Sequence, residues 1–244
     1  MAVTYQNNGV VRDGLVFYAD PSNQRSWLGP DSNTVNSLIS TPTGSIVNDT
    51  SGSYGINESF AFDGTDDGID SGITLDKFSN FTLNTWIYQS SAVSSNPITI
   101  FARDSAGNAS FMIDVLDSGR AGGVNNKLGV WIRNGTSPGT WLYGDTALST
   151  NIWNNISVTL QTNGTNFNVT MYLNSQVNKS TTAYGTGTSI TSANVNYGIG
   201  ITIYQAGSNY RSFNGNIGPV QIYNRALSEA ELTQNYNALK GRFE

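Results

Sequence analysis

Two residue types that carry much of protein chemistry are absent from this chain of 244 residues. It contains neither cysteine nor histidine. Disulfides, cysteine or histidine zinc sites and catalytic triads with a histidine base are therefore excluded. The absence of cysteine does not identify the redox compartment, because an oxidising environment permits disulfides without requiring them.

Charged residues are also scarce. They make up 12% of the chain, and 12 Lys and Arg against 17 Asp and Glu give a formal net charge of -5. No basic cluster of the kind that binds nucleic acid or an anionic membrane is present. No apolar run approaches the roughly 18 residues of a membrane span, and residues 1–8 have neither the basic start nor the apolar run of a signal peptide. The sequence predicts no nucleic-acid partner, no membrane partner and no secretory signal.

What the chain does contain is a series of short apolar runs bounded by Gly, Asn, Asp or Ser, which is typical of antiparallel sheets. The hairpin around Asn163-Gly164 is the clearest, because apolar and polar residues alternate on both sides of it. Residues 23–57 are polar and irregular and are predicted to form a long loop or a peripheral excursion. The predicted strands cover residues 15–18, 60–62, 81–88, 98–101, 111–116, 128–132, 156–160, 167–173, 199–204 and 217–223.

The last predicted element is a helix. Ser228 and Glu231 have the spacing of a capping box, and Leu232 and later apolar residues form one helical stripe. Lys240 and Gly241 are expected to end the helix, with the glycine as a left-handed stop.

Five sequence motifs occur in an order that resembles laminin-G-like, concanavalin A-like jelly-roll domains. They are residues 13–20, the Phe-Asp-Gly-x-Asp-Asp hairpin within 59–69, the aromatic strand 81–87, the Trp-led hairpin that starts at Trp153, and the closing segment 212–232. The resemblance implies an all-β fold, a two-sheet antiparallel jelly-roll sandwich with one short C-terminal helix. It implies one domain over residues 1–244, with its core at about 13–240.

The two ends of the chain resemble those of tailed-phage virion structural proteins, of the cyanophage type, that carry this fold. The segments concerned are residues 11–15 and 235–243. This resemblance implies a location on the particle surface after synthesis in the host cytoplasm. The implied partners are other virion proteins and further copies of the same chain.

An acidic cluster is the candidate metal site. Asp63, Asp66, Asp67 and Asp70 are close in sequence, calcium prefers oxygen ligands, and the resemblance implies a calcium ion at the rim of the sandwich. Asp66 and Asp67, with Asp63, are therefore the candidate ligands. The alternative is that Asp63-Gly64 is simply a tight turn. A chain of this length needs no cofactor to fold, so calcium is an optional addition.

Aromatic side chains are the candidate glycan-binding residues. Alternation places Trp86, Tyr88, Trp131, Trp141 and Tyr143 opposite their aliphatic neighbours. If the aliphatic residues face the core, these rings lie on an outer or concave face, where aromatic planes stack on sugars. Alternatively, loops or the terminal helix cover the rings, or the rings form a subunit interface.

Enzymatic activity is not expected. Glycoside hydrolysis needs two carboxylates that flank the scissile bond, yet the chain has only four glutamates and lacks the Glu-x-Asp-x-x-Glu strand motif of jelly-roll glucanases. The sequence predicts a non-enzymatic phage virion protein, a surface decoration or fibre subunit. The alternative is a carbohydrate-binding adhesin that recognises host surface glycans, and a polysaccharide-degrading glycoside hydrolase is the least favoured.

Overall fold

The computed structural model describes residues 9–29, 32–39, 43–47, 59–73, 79–105, 109–134, 139–185, 195–204 and 211–244. Within these residues there are sixteen strands, one α-helix and one 3-10 turn. In chain order they are β1 (Leu15–Ala19), β2 (Thr34–Asn36), β3 (Thr43–Val47), β4 (Phe60–Asp63), β5 (Gly68–Asp70), β6 (Asn80–Gln89), β7 (Ile98–Ser105), β8 (Ala109–Leu116), β9 (Lys127–Asn134), β10 (Leu142–Ala147), β11 (Trp153–Thr162), β12 (Phe167–Leu173), β13 (Gln176–Tyr184), β14 (Gly198–Ile199), β15 (Thr202–Tyr204), β16 (Asn214–Tyr223), α1 (Glu229–Leu239) and the 3-10 turn Lys240–Arg242.

The strands form two sheets that pack as a sandwich. The first sheet has the order β1-β16-β6-β11-β12-β13, and β4 also pairs with β16. The second sheet has the order β10-β9-β8-β7-β14-β5-β3-β2, and β15 pairs with β7. All pairings are antiparallel except that of β15 with β7. The predicted all-β, two-sheet antiparallel sandwich with a short C-terminal helix is confirmed.

The core lies between the sheets because apolar residues alternate along the strands. On β8, Phe111, Ile113 and Val115 are fully buried members of the core, whereas Met112 and Asp114 point to the other face of the sheet. The β11–β12 hairpin repeats this pattern from the opposite sheet, and the chain turns between its strands at residues 163–166. One continuous core therefore contacts the inner faces of both sheets.

Two strands lie within residues 23–57, where the sequence predicted a loop or peripheral excursion. β2 pairs with β3, and β3 pairs with β5, so these strands extend one edge of the second sheet. Val35 is fully buried in the core. The prediction failed there because both strands are short and mostly polar.

The predicted Phe-Asp-Gly-x-Asp-Asp hairpin is instead a crossing between the two sheets. β4 pairs with β16 in the first sheet, whereas β5 pairs with β3 and β14 in the second. The chain turns at Gly64, whose φ of 84° lies in the left-handed region that favours glycine. The two strands that flank this turn are therefore not partners.

Helix α1 packs on the outer face of the first sheet. Its capping box is present: the Ser228 hydroxyl accepts from the Glu231 amide, and the Glu231 carboxylate accepts from the Ser228 amide. The predicted left-handed stop at Gly241 is wrong, because Lys240 has right-handed helical angles and the 3-10 turn follows. In the described part of the chain, no helix has the length and apolar character of a membrane span.

Candidate functional site

The outer face of the second sheet carries a pair of tryptophans. Trp131 on β9 follows the buried Val130, so its side chain points away from the core. The pairing of Leu142 with Val130 brings Trp141 opposite Trp131. The two ring centroids lie 5.3 Å apart with an interplanar angle of 53°. Both side chains are only partly buried, so these two predicted residues offer aromatic surface at the outside of the sandwich.

The backbone on one side of Trp131 fits closely against its ring. A Cβ added to Gly139 would lie 2.6 Å from Trp131 Cε2 and 2.9 Å from the Ile132 carbonyl oxygen. Glycine at this position therefore lets the chain approach the indole. A larger residue at this position would contact the ring that lies beside Trp141.

Tyr143 lies on the same face of the second sheet but one row further along the strands, paired with Gly129. The Lys127 ammonium group is 5.0 Å from its ring centroid, a cation–π distance. A cleft opens beside the tryptophan pair, and Tyr143 does not line it.

Trp86 and Tyr88 lie on β6, in the first sheet, and the structure does not bring them to the tryptophan pair. Trp86 is 1% exposed, and its ring stacks on Tyr236 at 5.3 Å and on Phe243 at 4.8 Å between centroids. The alternative in which the terminal helix covers the ring therefore describes Trp86. Tyr88 is half-buried, with its ring centroid 5.7 Å from that of Trp153.

A cleft of about 390 Å³ opens beside the tryptophan pair. Besides the two indoles and Met112, the described part of its lining consists of charged side chains from strands β7 and β9 and from two loops. These are Asp104, Arg120, Arg133 and Arg211. Aromatic and cationic side chains thus line the same cleft on the outer face of the second sheet.

A buried carboxyl group lies beneath this cleft. Asp114 on β8 is fully buried, and Arg211 Nη1 lies 3.5 Å from Asp114 Oδ2 and 3.0 Å from Met112 Sδ. Burial raises the pKa of Asp114 to about 7, although the positive charge of Arg211 opposes this change. The Asp114 carboxyl group, which contacts the cleft residue Arg211 without lining the cleft, therefore titrates near neutral pH.

The predicted metal ligands come together at the crossing between the sheets. Asp63, Asp66 and Asp67 each have a carboxylate oxygen within 4.8 Å of the others. Asp67 Oδ2 accepts from the Asp63 amide at 3.1 Å, and Asp63 Oδ1 accepts from the Thr65 amide at 2.7 Å. The oxygen donors fit calcium, and the amide contacts also fit a turn without metal. Calcium binding at these residues stays a prediction.

Sequence reasoning missed the charged residues of the cleft. Two charged residues in or beneath the cleft had a local signal in the sequence. Asp114 interrupts an apolar strand, and Arg133 follows Trp131 by two residues, which places both side chains on the same face of β9. Arg120 and Arg211 lie in loops and had no such signal.

Comparisons with known proteins agree with the architecture. The family model Laminin_G_3, described as the concanavalin A-like lectin/glucanases superfamily, matches residues 63–233. No curated protein sequence matches the chain. Among solved structures, domain 4 of AbnA, an extracellular arabinanase from Geobacillus stearothermophilus in complex with arabinotriose, is 18% identical, with 91% of this chain and 98% of that chain covered and a TM-score of 0.58.

Two further similar structures come from sialidases. The CBM40 of the Ruminococcus gnavus IT-sialidase, bound to α2,3-sialyllactose, is 17% identical, with 72% of this chain and 95% of that chain covered and a TM-score of 0.57. The Trypanosoma rangeli sialidase in complex with sialic acid is 13% identical over 96% of this chain but only 34% of that chain, with a TM-score of 0.62. At these identities the likeness is one of fold.

Proposed function

Because the chain belongs to the concanavalin A-like lectin/glucanases superfamily, we propose that it is a non-enzymatic carbohydrate-binding protein whose ligand lies in the cleft beside Trp131 and Trp141. The tryptophan pair is the observation that carries this proposal. Sugar rings stack on aromatic planes, and two indoles inclined at 53° provide a curved apolar wall for such stacking.

Polar groups around the tryptophans support the same function. The cleft combines the indoles with guanidinium and carboxyl groups that can bind sugar hydroxyls. The similar structures that contain arabinotriose and α2,3-sialyllactose add support, since they show that this fold accommodates sugars in other proteins.

The non-enzymatic part of the proposal is based on the carboxyl groups. Among the described residues, Asp104 is the single carboxylate that lines the cleft, and Asp114 is fully buried beneath it. Most glycoside hydrolases use two carboxyl groups that both reach the sugar. The described part of the cleft therefore favours binding without hydrolysis.

We also propose that this binding module works on the surface of a phage virion, as a decoration or fibre subunit that forms homo-oligomers. The support for this setting is the resemblance of residues 11–15 and 235–243 to virion proteins. A purely structural virion subunit is the competing function, and it predicts no glycan binding at all.

A glycan array tests the proposal. The purified protein should bind a restricted set of glycans, and Trp131→Ala should abolish that binding. Tyr88→Ala is the matched control, because it also removes a partly exposed ring but on the other sheet. Loss of binding with the Tyr88 variant alone would place the ligand on the first sheet, and no binding by the folded wild type would favour the structural role. Repeating the array with calcium and with chelator tests whether Asp63, Asp66 and Asp67 contribute.

A further inference from the structure

Arginine is concentrated at the cleft. Three of the eight arginines of the chain, Arg120, Arg133 and Arg211, line this one space, although the chain as a whole has a net charge of -5. Asp104 is the carboxylate found with them in the described lining. The described lining therefore carries more cationic than anionic side chains, although Asp117 pairs with Arg120 and Asp114 lies beside Arg211.

Two of these guanidinium groups have donors to offer a ligand. Within the described residues, the Arg120 side chain donates to Asp117 through Nη1, which uses one of its five N–H groups. Arg133 Nε is buried and has no hydrogen-bond acceptor in the described part of the structure. The residue as a whole is only partly buried and lines the cleft, so its Nη groups are the donors that it can offer a ligand.

Two of the arginines, Arg120 and Arg211, are also held in place. Asp117 is 4% exposed and accepts from both the backbone amide and the side chain of Arg120. Arg211 is fixed at its side chain by Asp114 and Met112, and its backbone carbonyl accepts from the Thr99 amide at 3.0 Å. Guanidinium groups that are positioned before binding lose less entropy when a ligand arrives.

From this arrangement we infer that the cleft selects an acidic sugar, with a carboxylate held by the arginines while the sugar ring stacks on Trp131 or Trp141. The planar guanidinium group can donate two parallel hydrogen bonds to the two oxygens of a carboxylate. A hydroxyl group of a neutral sugar lacks the second oxygen. This inference rests on the proposed carbohydrate-binding function and specifies its ligand class: a glycan that contains a uronic or sialic acid.

Matched pairs of probes test the inference by isothermal titration calorimetry. The pairs are α2,3-sialyllactose with lactose, and a galacturonic acid trisaccharide with its methyl ester. In at least one pair the acidic member should bind about ten- to a hundredfold more tightly, as expected for a charge-assisted hydrogen bond. The methyl ester keeps the sugar rings and their hydroxyl groups, removes the negative charge of each carboxylate and adds one methyl group to it.

Two variants assign the effect to the cleft. Arg133→Gln should weaken binding of the acidic probe at least about tenfold. Arg25→Gln changes the net charge by the same amount at an exposed position outside the cleft, and it should leave binding unchanged. Equal losses in both variants would reduce the effect to general electrostatics and overturn the inference.

The remaining outcomes separate the inference from the proposed function. Binding of lactose or the methyl ester as tight as that of the acids would overturn the acidic-sugar inference and leave carbohydrate binding intact. A preference for 3′-sulfated lactose over every carboxylated probe would also overturn it, in favour of a sulfate ester. Failure of the folded protein to bind any probe, charged or neutral, would overturn both.

Discussion

Asp114→Asn should remove most of the pH dependence of stability between pH 5 and 8. Because the chain has no histidine and no cysteine, few side chains titrate in this window. Asp114 does so because burial raises its pKa from 3.8 to about 7. The asparagine side chain has nearly the same shape and carries no charge, so the substitution removes the titration without leaving a cavity.

The sign and size of the effect follow from proton linkage. Between pH 4 and 7 the folded chain keeps a proton on Asp114 that the unfolded chain has lost, so the free energy of unfolding falls as the pH rises through this window. With pKa values of 3.8 unfolded and about 7 folded, the loss between pH 5 and pH 8 is about 2.5 kcal/mol. For a protein of this size, that corresponds to roughly 5–10 °C in Tm.

Urea denaturation followed by tryptophan fluorescence at pH 5, 6, 7 and 8 and constant ionic strength measures this loss. The wild-type midpoint should fall with pH, and the Asp114→Asn midpoint should stay nearly constant. Asp145→Asn is the control, because Asp145 is exposed and pairs with Lys179 at the surface, and it should keep the wild-type slope. A wild-type midpoint that is the same at pH 5 and pH 8, or an unchanged slope in Asp114→Asn, would refute the reasoning.

Three further predictions concern the first sheet and its helix. Trp86→Ala should lower the free energy of unfolding by about 3–5 kcal/mol, because a buried indole between Tyr236 and Phe243 is lost. Glycan binding should persist in this variant. Urea denaturation measures the first effect, and the glycan array checks the second. Asn84→Ala should cost about 2–3 kcal/mol in the same denaturation assay, since Asn84 Nδ2 donates to Gln221 Oε1 and Asn84 Oδ1 accepts from Ser157 Oγ, both at 2.7 Å in a buried cluster. Ser228→Ala should cost about 1 kcal/mol through loss of the helix cap, and a Ser228→Asp variant that retains full stability would support that cause.

The sequence predicted the strands whose apolar residues alternate and are long enough to show a period. β8 and the β11–β12 hairpin belong to this class, because each contributes a clear apolar face to the core. The edge strand β13 was missed because it is mostly polar, with exposed residues over much of its length. Asn174, a residue type that tolerates the positive φ found in the turn before β13, was the available signal.

Trp86 and Trp131 show the limit of the same reasoning at the candidate site. Alternation correctly places each ring on the outer face of a sheet, but it contains no information about what packs on that face. Trp86 is covered by residues about 150 positions later in the chain, whereas Trp131 stays partly exposed beside Trp141. The sequence could not predict the arginine-lined cleft for a similar reason, because Arg120 and Arg211 lie on separate loops that only the fold brings together.

The contacts of residues near both ends of the described chain with the first sheet and its helix determine how the cleft can be presented. Near the amino-terminal end, the Val11 amide donates to Asn235 Oδ1 on helix α1 at 2.8 Å. Near the carboxyl end, the Arg242 guanidinium group donates two hydrogen bonds to Asp20. These contacts lie on the side of the sandwich away from Trp131 and Trp141. A surface, label or carrier joined at residue 244 would therefore leave the cleft facing outward. With the proposed glycan-binding function, many copies immobilised in this way would bind a multivalent glycan with high avidity.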